Sequence, residues 1–528
     1  MKKILGLIFL TLLLSYSLTH CLYADSFKIL GTRPLSMGGA YIAIAEDALT
    51  QYYNPAGLGV GKDVDVQMPV GVQLEATGDI LGSADRLSKI ADQFAKISEA
   101  QKNGTAIELS QLKTFFDSVK ILDELNKGGK GILSDISAGA NIRVSHFAFS
   151  VNNFTSFGCD PEIDIKNIGL GKSFGETGGI DLSGIVGLGS PLSDPDLQQS
   201  ADDLASTIGD LGNAASTVFG IELGDVYNSQ DIANALINAA VEEGLSPDEI
   251  KDAVSIINKY NTEYIEPLIT DSSAGSYKNN TSNLTVRGTS VFEASLGYGN
   301  SAPYVQSTTT LSGFFKGLYV GGNLKYMNGY VGYAKVKVLS DDEVDPFDDL
   351  QNNYKTSNAV GLDLGFLLQK KFFGKKTNFG LLLRNINSPK FDQPAEAIAD
   401  GESSKYKISP QVRGGVAVWP FNWWTIASDI DLTKNSTPLP CYDSRLWGLG
   451  NEFNLVNSKW FNLALRCGLM KNLAESSSKL AYTGGFGLTL AHFVIDLGAA
   501  MSSDTVEITN STKVPSAGAA ALTISFDF

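Results

Sequence analysis

Alternation is the pattern that most constrains this chain. Its last seven residues, Leu522-Thr523-Ile524-Ser525-Phe526-Asp527-Phe528, place Leu, Ile and both Phe on one face and Thr, Ser and Asp on the other. A period of two puts successive side chains on opposite faces of an extended strand, here one oily and one wet. Ends of water-soluble chains are commonly frayed and polar. An apolar strand running to the last residue is expected of the closing strand of a membrane barrel, because an unpaired edge in lipid costs several kcal/mol per polar group.

The pattern recurs. Val64, Val66, Met68, Val70, Val72 and Leu74 oppose Asp65, Gln67 and Gln73, and the stretches 133–143 and 145–154 repeat it across a hairpin. Further strands fit near 288–298, 317–327, 357–369, 376–386, 408–419, 423–433, 445–456, 458–469, 480–491, 492–502 and 517–528. The expected fold is all-β, a transmembrane antiparallel β-barrel of about 14 strands of around ten residues each, an even number as bacterial barrels require. The connections Val144-Ser145, Phe373-Gly374-Lys375-Lys376, Pro420-Phe421-Asn422, Asn457-Ser458-Lys459 and Ala491-His492 then fall on one side as short periplasmic turns, although 299–316 is longer. Trp419, Trp423, Trp424 and Trp460 flank those turns and Trp447 lies near the opposite end, which predicts two aromatic girdles.

Composition narrows the function classes. Lys2 and Lys3 precede an apolar run, Ile4 to Leu14, and Tyr23-Ala24 offers a cleavage point, so 1–24 reads as a signal peptide and the chain as exported. Anchoring through Cys21 is disfavoured by His20, where a small residue is wanted. No later stretch is long and apolar enough for a spanning helix. A net charge of −16 argues against nucleic acid as partner. Cys159, Cys441 and Cys467 show no CxxC spacing, and a Cys159–Cys441 disulfide is one option since both fall in loops on the same side. His146 and His492 are the histidines after the signal, without GxSxG or HExxH, so neither an enzyme nor a metal or other cofactor is indicated.

Two excursions carry helical signals, giving insertions at about 76–132 and 190–270. In the first, Leu87, Ile90, Phe94 and Ile97 and then Leu109, Leu112, Phe116 and Val119 recur at helical spacing. In the second, Ser246-Pro247-Asp248-Glu249 reads as a capping box with Pro at the first helical position. The glycine-rich stretch 169–189 lacks the strand, helix and acid of a nucleotide loop and reads as flexible loop.

Ahead of the first strand lie Gly31-Thr-Arg33-Pro-Leu-Ser-Met37-Gly38-Gly39-Ala40, Glu46-Asp47-Ala48 and Tyr53-Asn54-Pro55-Ala56-Gly57-Leu58. This segment, 25–62, is too long for a turn and too rich in small residues for a span. Fed from the periplasm, it can fold back to fill the barrel of 63–528 as a plug. The pattern Arg33, Met37-Gly38-Gly39-Ala40, Asp47-Ala48 and Asn54-Pro55-Ala56-Gly57-Leu58 resembles the FadL family of outer-membrane transporters for long-chain fatty acids and aromatic hydrocarbons, with the related PorV-like and TraF-like (plasmid-transfer) barrels. The resemblance implies a hatch built on Asn54, Pro55 and Ala56, with Gly38, Gly39 and Asp47 setting its backbone, and a ligand pocket beside it.

The polar faces of the strands direct Arg143, Lys325, Asp363, Arg384, Arg413, Asp429, Asp431, Glu452, Arg466 and Asp496 inward. These charges can grip the plug, or Arg384, Arg413 or Arg466 can receive a ligand carboxylate. Inward Phe and Leu are few, which places an apolar pocket in the loops or inserts. The expectation is a bacterial outer-membrane barrel surrounded by lipid and passively admitting small hydrophobic compounds. The alternatives are a PorV-like or TraF-like barrel that docks a secreted or surface protein, and an adhesin.

Overall fold

The computed structural model describes residues 26–44, 46–61, 64–78, 80, 82, 125–164, 192–219, 229–242, 244, 246–260, 281–302, 315–337, 353–458, 460–507 and 513–527. The signal segment, the helical signals of 87–119, the glycine-rich stretch 169–189 and Phe528 lie outside these.

Fourteen strands form a closed antiparallel barrel. In chain order its first half is β1 (Val64–Thr77), β2 (Gly131–Val144), β3 (Phe147–Glu162), β4 (Asn283–Ser301), β5 (Leu318–Lys337), β6 (Tyr354–Phe372) and β7 (Lys375–Arg384). It continues with β10 (Gln411–Phe421), β11 (Trp424–Asp431), β14 (Leu446–Asn457), β15 (Phe461–Asn472), β16 (Ala481–Leu490), β17 (Phe493–Ser502) and β20 (Ala517–Asp527). Closure comes from β1 pairing with β20, Val66 opposite Phe526 and Val70 opposite Leu522. The closing alternation thus belongs to a strand bonded on both edges, which leaves no open edge facing lipid.

Alternation sorts the side chains. On β1, Met68, Val70, Val72 and Leu74 are exposed on the outer surface, whereas Asp65 and Gln67 are buried inside. No described helix is long and apolar enough to cross a membrane. The strand lengths depart from the uniform ten residues expected. β1 to β6 run 14 to 20 residues, against 8 to 12 from β7 to β20 in the barrel. At about 3.3 Å per residue, the first six continue well past an apolar belt, forming a tall wall on the long-loop side.

Three loops at that side carry structure absent from the sequence reading, the last being the short pair β18 (Thr505–Glu507) and β19 (Lys513–Pro515) between β17 and β20. Between β7 and β10, the chain forms β8 (Lys390–Asp392), a helix Ala395–Ala399 and β9 (Lys405–Lys407). Its Phe391 is fully buried among Val291, Met327, Val331 and Ile408, so this loop fills the upper lumen. Between β11 and β14, β12 (Asn435–Ser436) and β13 (Asp443–Ser444) make a strap whose Leu439 and Tyr442 pack on Leu133 of β2. β11 and β14 stand ninth and tenth around the barrel and β2 second, so the strap crosses the mouth to the opposite wall.

The three helices Pro195–Phe219, Ser229–Glu242 and Pro247–Tyr260 form a separate core of Leu197, Ala201, Leu204, Ala233, Ile237, Ile250 and Val254. The last begins with the anticipated reciprocal cap. Ser246 N donates to Glu249 Oε2 (2.9 Å) and Glu249 N to Ser246 Oγ (3.4 Å).

Two expectations are corrected. Cys159 and Cys441 are free thiols; Cys159 sits on β3 opposite Ile132, while Cys441 caps the strap at a positive φ of 60°. Trp419 does not join an outer girdle. It continues the inward parity of Arg413 and Ala417 on β10 and packs against the luminal core. The register slips between Val418 and Phe421, after which Phe421, Trp423, Trp424 and Phe453 stack at the barrel rim, Phe421 and Trp423 also bordering the mouth of the bore.

Candidate functional site: the hatch and its luminal cradle

Residues 26–61 lie inside the barrel and supply most of its hydrophobic core. Phe27, Leu30, Met37, Ala40 to Ile44, Leu49, Tyr52 and Tyr53 are buried against only a few wall residues, Phe154, Leu382, Ala417 and Ala427. The scarcity of large apolar side chains on the inner wall has this cause: the wall is trimmed so that the segment fits. A Cβ on Gly299 or Gly321 would stand 2.3 Å from the Pro55 carbonyl oxygen. One on Gly448 would stand 2.0 Å from the Gly38 carbonyl oxygen. The segment starts beside Asp135, where Lys28 Nζ meets Oδ1 at 2.7 Å, and descends to the short-turn end where β1 begins.

The sequence-picked hatch residues each have a defined task. Asn54, fully buried, caps the 3₁₀ turn Pro55–Gly59 by accepting from Ala56 N (3.2 Å). Its Nδ2 donates to Ile42 O within the segment and to Phe366 O on β6, both at 3.0 Å. Pro55 opens the turn and Ala56 packs on Leu367. Gly38 and Gly39 both hold positive φ, 66° and 81°. Gly38 N donates to Thr483 Oγ1 (3.0 Å), whose hydroxyl donates in turn to Ser36 O (3.0 Å). Asp47 accepts from Leu49 N (3.1 Å) and from the Tyr41 hydroxyl, and faces Arg33 at 3.7 Å.

The luminal arginines are engaged rather than gathered into one anion receptor. Arg466 pairs with Glu452 (2.7 Å) and Asp496. Arg413 pairs with Asp431 (2.9 Å), faces Asp429 (3.7 Å) and donates to Gly39 O (3.0 Å). Arg384 pairs with Glu293 (2.9 Å) and lies 4.1 Å over the Tyr52 ring. Arg143 donates to the carbonyls of Glu46 (3.0 Å) and Ser145 (3.2 Å). Lys325 and Asp363 pair at 2.9 Å.

Three clamps escaped the sequence reading, because each joins an inward strand residue to a remote hatch atom. Glu452 receives Arg33 through two bonds of 2.7 Å while also holding Arg466. Asp429 Oδ2 accepts from the backbone of Tyr41 (2.6 Å) and Ile42 (2.8 Å). Asp65 accepts from Ala48 N. Charge-assisted bonds of this kind are roughly twice as strong as neutral ones, and unsatisfied hatch amides would otherwise be costly in a dry bore. Burial pushes the Tyr52 phenol up to about 12, opposed by Arg384, and holds Tyr53 well above its usual range. Both act as neutral donors, to Lys28 O (2.7 Å) and Leu30 O (3.0 Å).

Three spaces surround the hatch. A vestibule of about 1070 Å³ at the short-turn end is lined by Arg33, Asp47, Asp65, Glu452, Arg466 and Trp419 among others, and is charged and wet. Between the start of the hatch and the strap lies a pocket of about 70 Å³ with Phe27, Ile29, Leu35, Leu133 and Leu446 in its walls and Lys28 and Asp135 beside them. A shallow apolar groove of about 630 Å³ runs over the outer wall. The pocket and the groove share Gly71, Val72, Ile136, Ala520 and Ala521, three of which are Gly or Ala.

The family model described as "F plasmid transfer operon, TraF, protein" matches residues 178–431. No curated protein matches. Solved structures of similar fold include the toluene transporter TbuX of Ralstonia pickettii, at 11% identity and TM-score 0.38 over 96% of this chain and 99% of that one. The toluene transporter TodX of Pseudomonas putida follows at 10% identity and 0.39, over 96% and 99%. A FadL homologue of Pseudomonas aeruginosa stands at 8% and 0.37, over 96% and 100%. Over residues 178–431 the chain is similar to the TraF family of the F plasmid transfer operon.

Proposed function

We propose that this protein is a bacterial outer-membrane barrel through which small hydrophobic compounds, such as long-chain fatty acids, pass passively. In this reading 1–24 is the export signal, 25–62 the hatch and 63–528 the barrel, with the long loops outside the cell and the short turns in the periplasm. The observation that carries it is the pocket between hatch and strap, apolar with one charged end and separated from the lipid-facing groove by little more than Gly71 and Ala521. An amphipath suits that division with its carboxylate end at the pocket, whose volume of about 70 Å³ is too small for a whole acyl chain, and its chain along the apolar groove of about 630 Å³. Uptake of labelled hexadecanoic acid by proteoliposomes tests it: accumulation above protein-free vesicles is expected, and Ala521→Trp should reduce it severalfold. Uptake equal to that of empty vesicles would sink the transport reading.

A second reading, docking of a secreted or surface protein or a part in conjugation, is favoured by the three-helix insert. Its core is its own, so it is suited to present a surface without serving the bore. Capture of a partner that is lost when 192–260 is deleted, with uptake unchanged, would favour this reading over the first.

A further inference from the structure

We infer that the turn between β6 and β7 is an anionic-phospholipid anchor at the periplasmic leaflet, an inference that rests on the membrane-embedded reading above. The turn reads Lys370-Lys371-Phe372-Phe373-Gly374-Lys375-Lys376, and the chain carries no Asp or Glu between Asp363 and Asp392, although its net charge is −16. Phe373 and Gly374 hold φ of 48° and 75°. A two-residue hairpin with both central residues at positive φ favours Asn-Gly, and a bulky aromatic at the first position is an outlier. Here the outlying ring is also 90% exposed, beside Phe372 at 62%. Both departures oppose stability in water, and both are relieved if the rings enter an apolar layer.

Position supplies the layer. Up the outer face of β6 and β7 run Phe366, Leu364, Leu362 and Phe379, exposed apolar residues that end at this turn. The adjacent β10–β11 turn adds exposed Phe421 and Trp423, and Lys375 Nζ lies 4.9 Å over the Phe421 ring. Lys376 belongs elsewhere: it faces inward to Glu46 (3.2 Å) and the Trp419 ring (4.1 Å). Lys370 and Lys375, on the outward parity of Phe372, thus border an aromatic wedge at the level where lipid phosphates lie, while Lys371 stands opposite Lys376 and shares its inward parity. Each lysine near an anionic surface contributes about 1 kcal/mol, or about fivefold in affinity.

The test uses the full chain extracted in mild detergent and incubated with equal amounts of phosphatidylglycerol and phosphatidylcholine, with retained lipid read by native mass spectrometry. Retention of phosphatidylglycerol over phosphatidylcholine by at least about tenfold is expected. The double change Lys370→Gln, Lys375→Gln should bring the ratio near one, whereas Lys371→Gln should leave it in place. Phe373→Asn suits the turn and should fold normally, yet retain severalfold less lipid. Excess glycerol phosphate or an acidic peptide should not displace the lipid. Equal retention of the two lipids, a preference surviving the double change, or displacement by either soluble anion would overturn the inference. Heat-modifiable migration and membrane fractionation are read alongside: their loss would remove the embedded barrel itself, whereas normal behaviour without lipid preference would remove the anchor alone.

Discussion

At the scale of single residues, the hatch is held by contacts that tolerate no added atom. A Cβ on Gly38 would meet the Leu469 carbonyl oxygen at 2.3 Å, at a φ of 66°. Gly244 has a comparable φ of 87° but nothing within 4 Å. Gly38→Ala should therefore destabilise by on the order of 3 kcal/mol, strain and clash together, and Gly244→Ala by about 1 kcal/mol. The shift in temperature at which the folded gel band converts to the unfolded one measures both, and equal shifts would contradict the packing described. Glu452 makes a sharper case, since it is buried between Arg33 and Arg466. Glu452→Gln leaves two guanidiniums short of a carboxylate, a loss of about 3–5 kcal/mol for a buried pair. Protease added from the short-turn side should then cut the hatch faster while the barrel band persists; unchanged cleavage would mean the clamp does not hold the hatch.

At the scale of elements, the strap of β12 and β13 crosses the long-loop mouth and is held there by a small apolar contact and several hydrogen bonds. Leu439 is 2% exposed and packs on Leu133 and Tyr442, and the Tyr442 hydroxyl donates to Glu75 on β1. Leu439→Ala removes about 2–4 kcal/mol of packing from the strap's apolar contact, leaving its polar ties, such as Gly129 N to Pro440 O (2.8 Å) and Asp443 N to Glu475 Oε1 (2.9 Å). Hydrogen exchange over 435–444 should rise while that of the barrel strands stays fixed; a rise shared by the strands would show that the strap is part of the cylinder's stability. This element was not legible in the sequence, because paired pieces of two residues carry no periodicity. The β8–β9 loop escaped for the same reason. The barrel strands were legible because one face meets lipid and the other the bore, which enforces parity over ten or more residues. At Trp419 composition near a turn suggested a girdle, whereas parity places the ring inward with Arg413 and Ala417.

At the scale of the whole molecule, the fold inverts the usual order of a barrel. The outside is apolar, the inner wall is polar or glycine, and the apolar core is the segment threaded through the bore. The inward charges and the motif around Asn54 could be read from sequence, since each follows from strand parity or local chain chemistry. Their pairing could not, because Arg33–Glu452 and Tyr41–Asp429 join residues hundreds of positions apart. Ion flow across a planar bilayer tests the central claim, a sealed cylinder stopped by 26–61, most directly. The intact protein should pass little current, and a variant lacking 26–60 that still shows heat-modifiable migration should conduct as an open pore. A large steady current through the intact protein, or silence from the folded deletion, would contradict it.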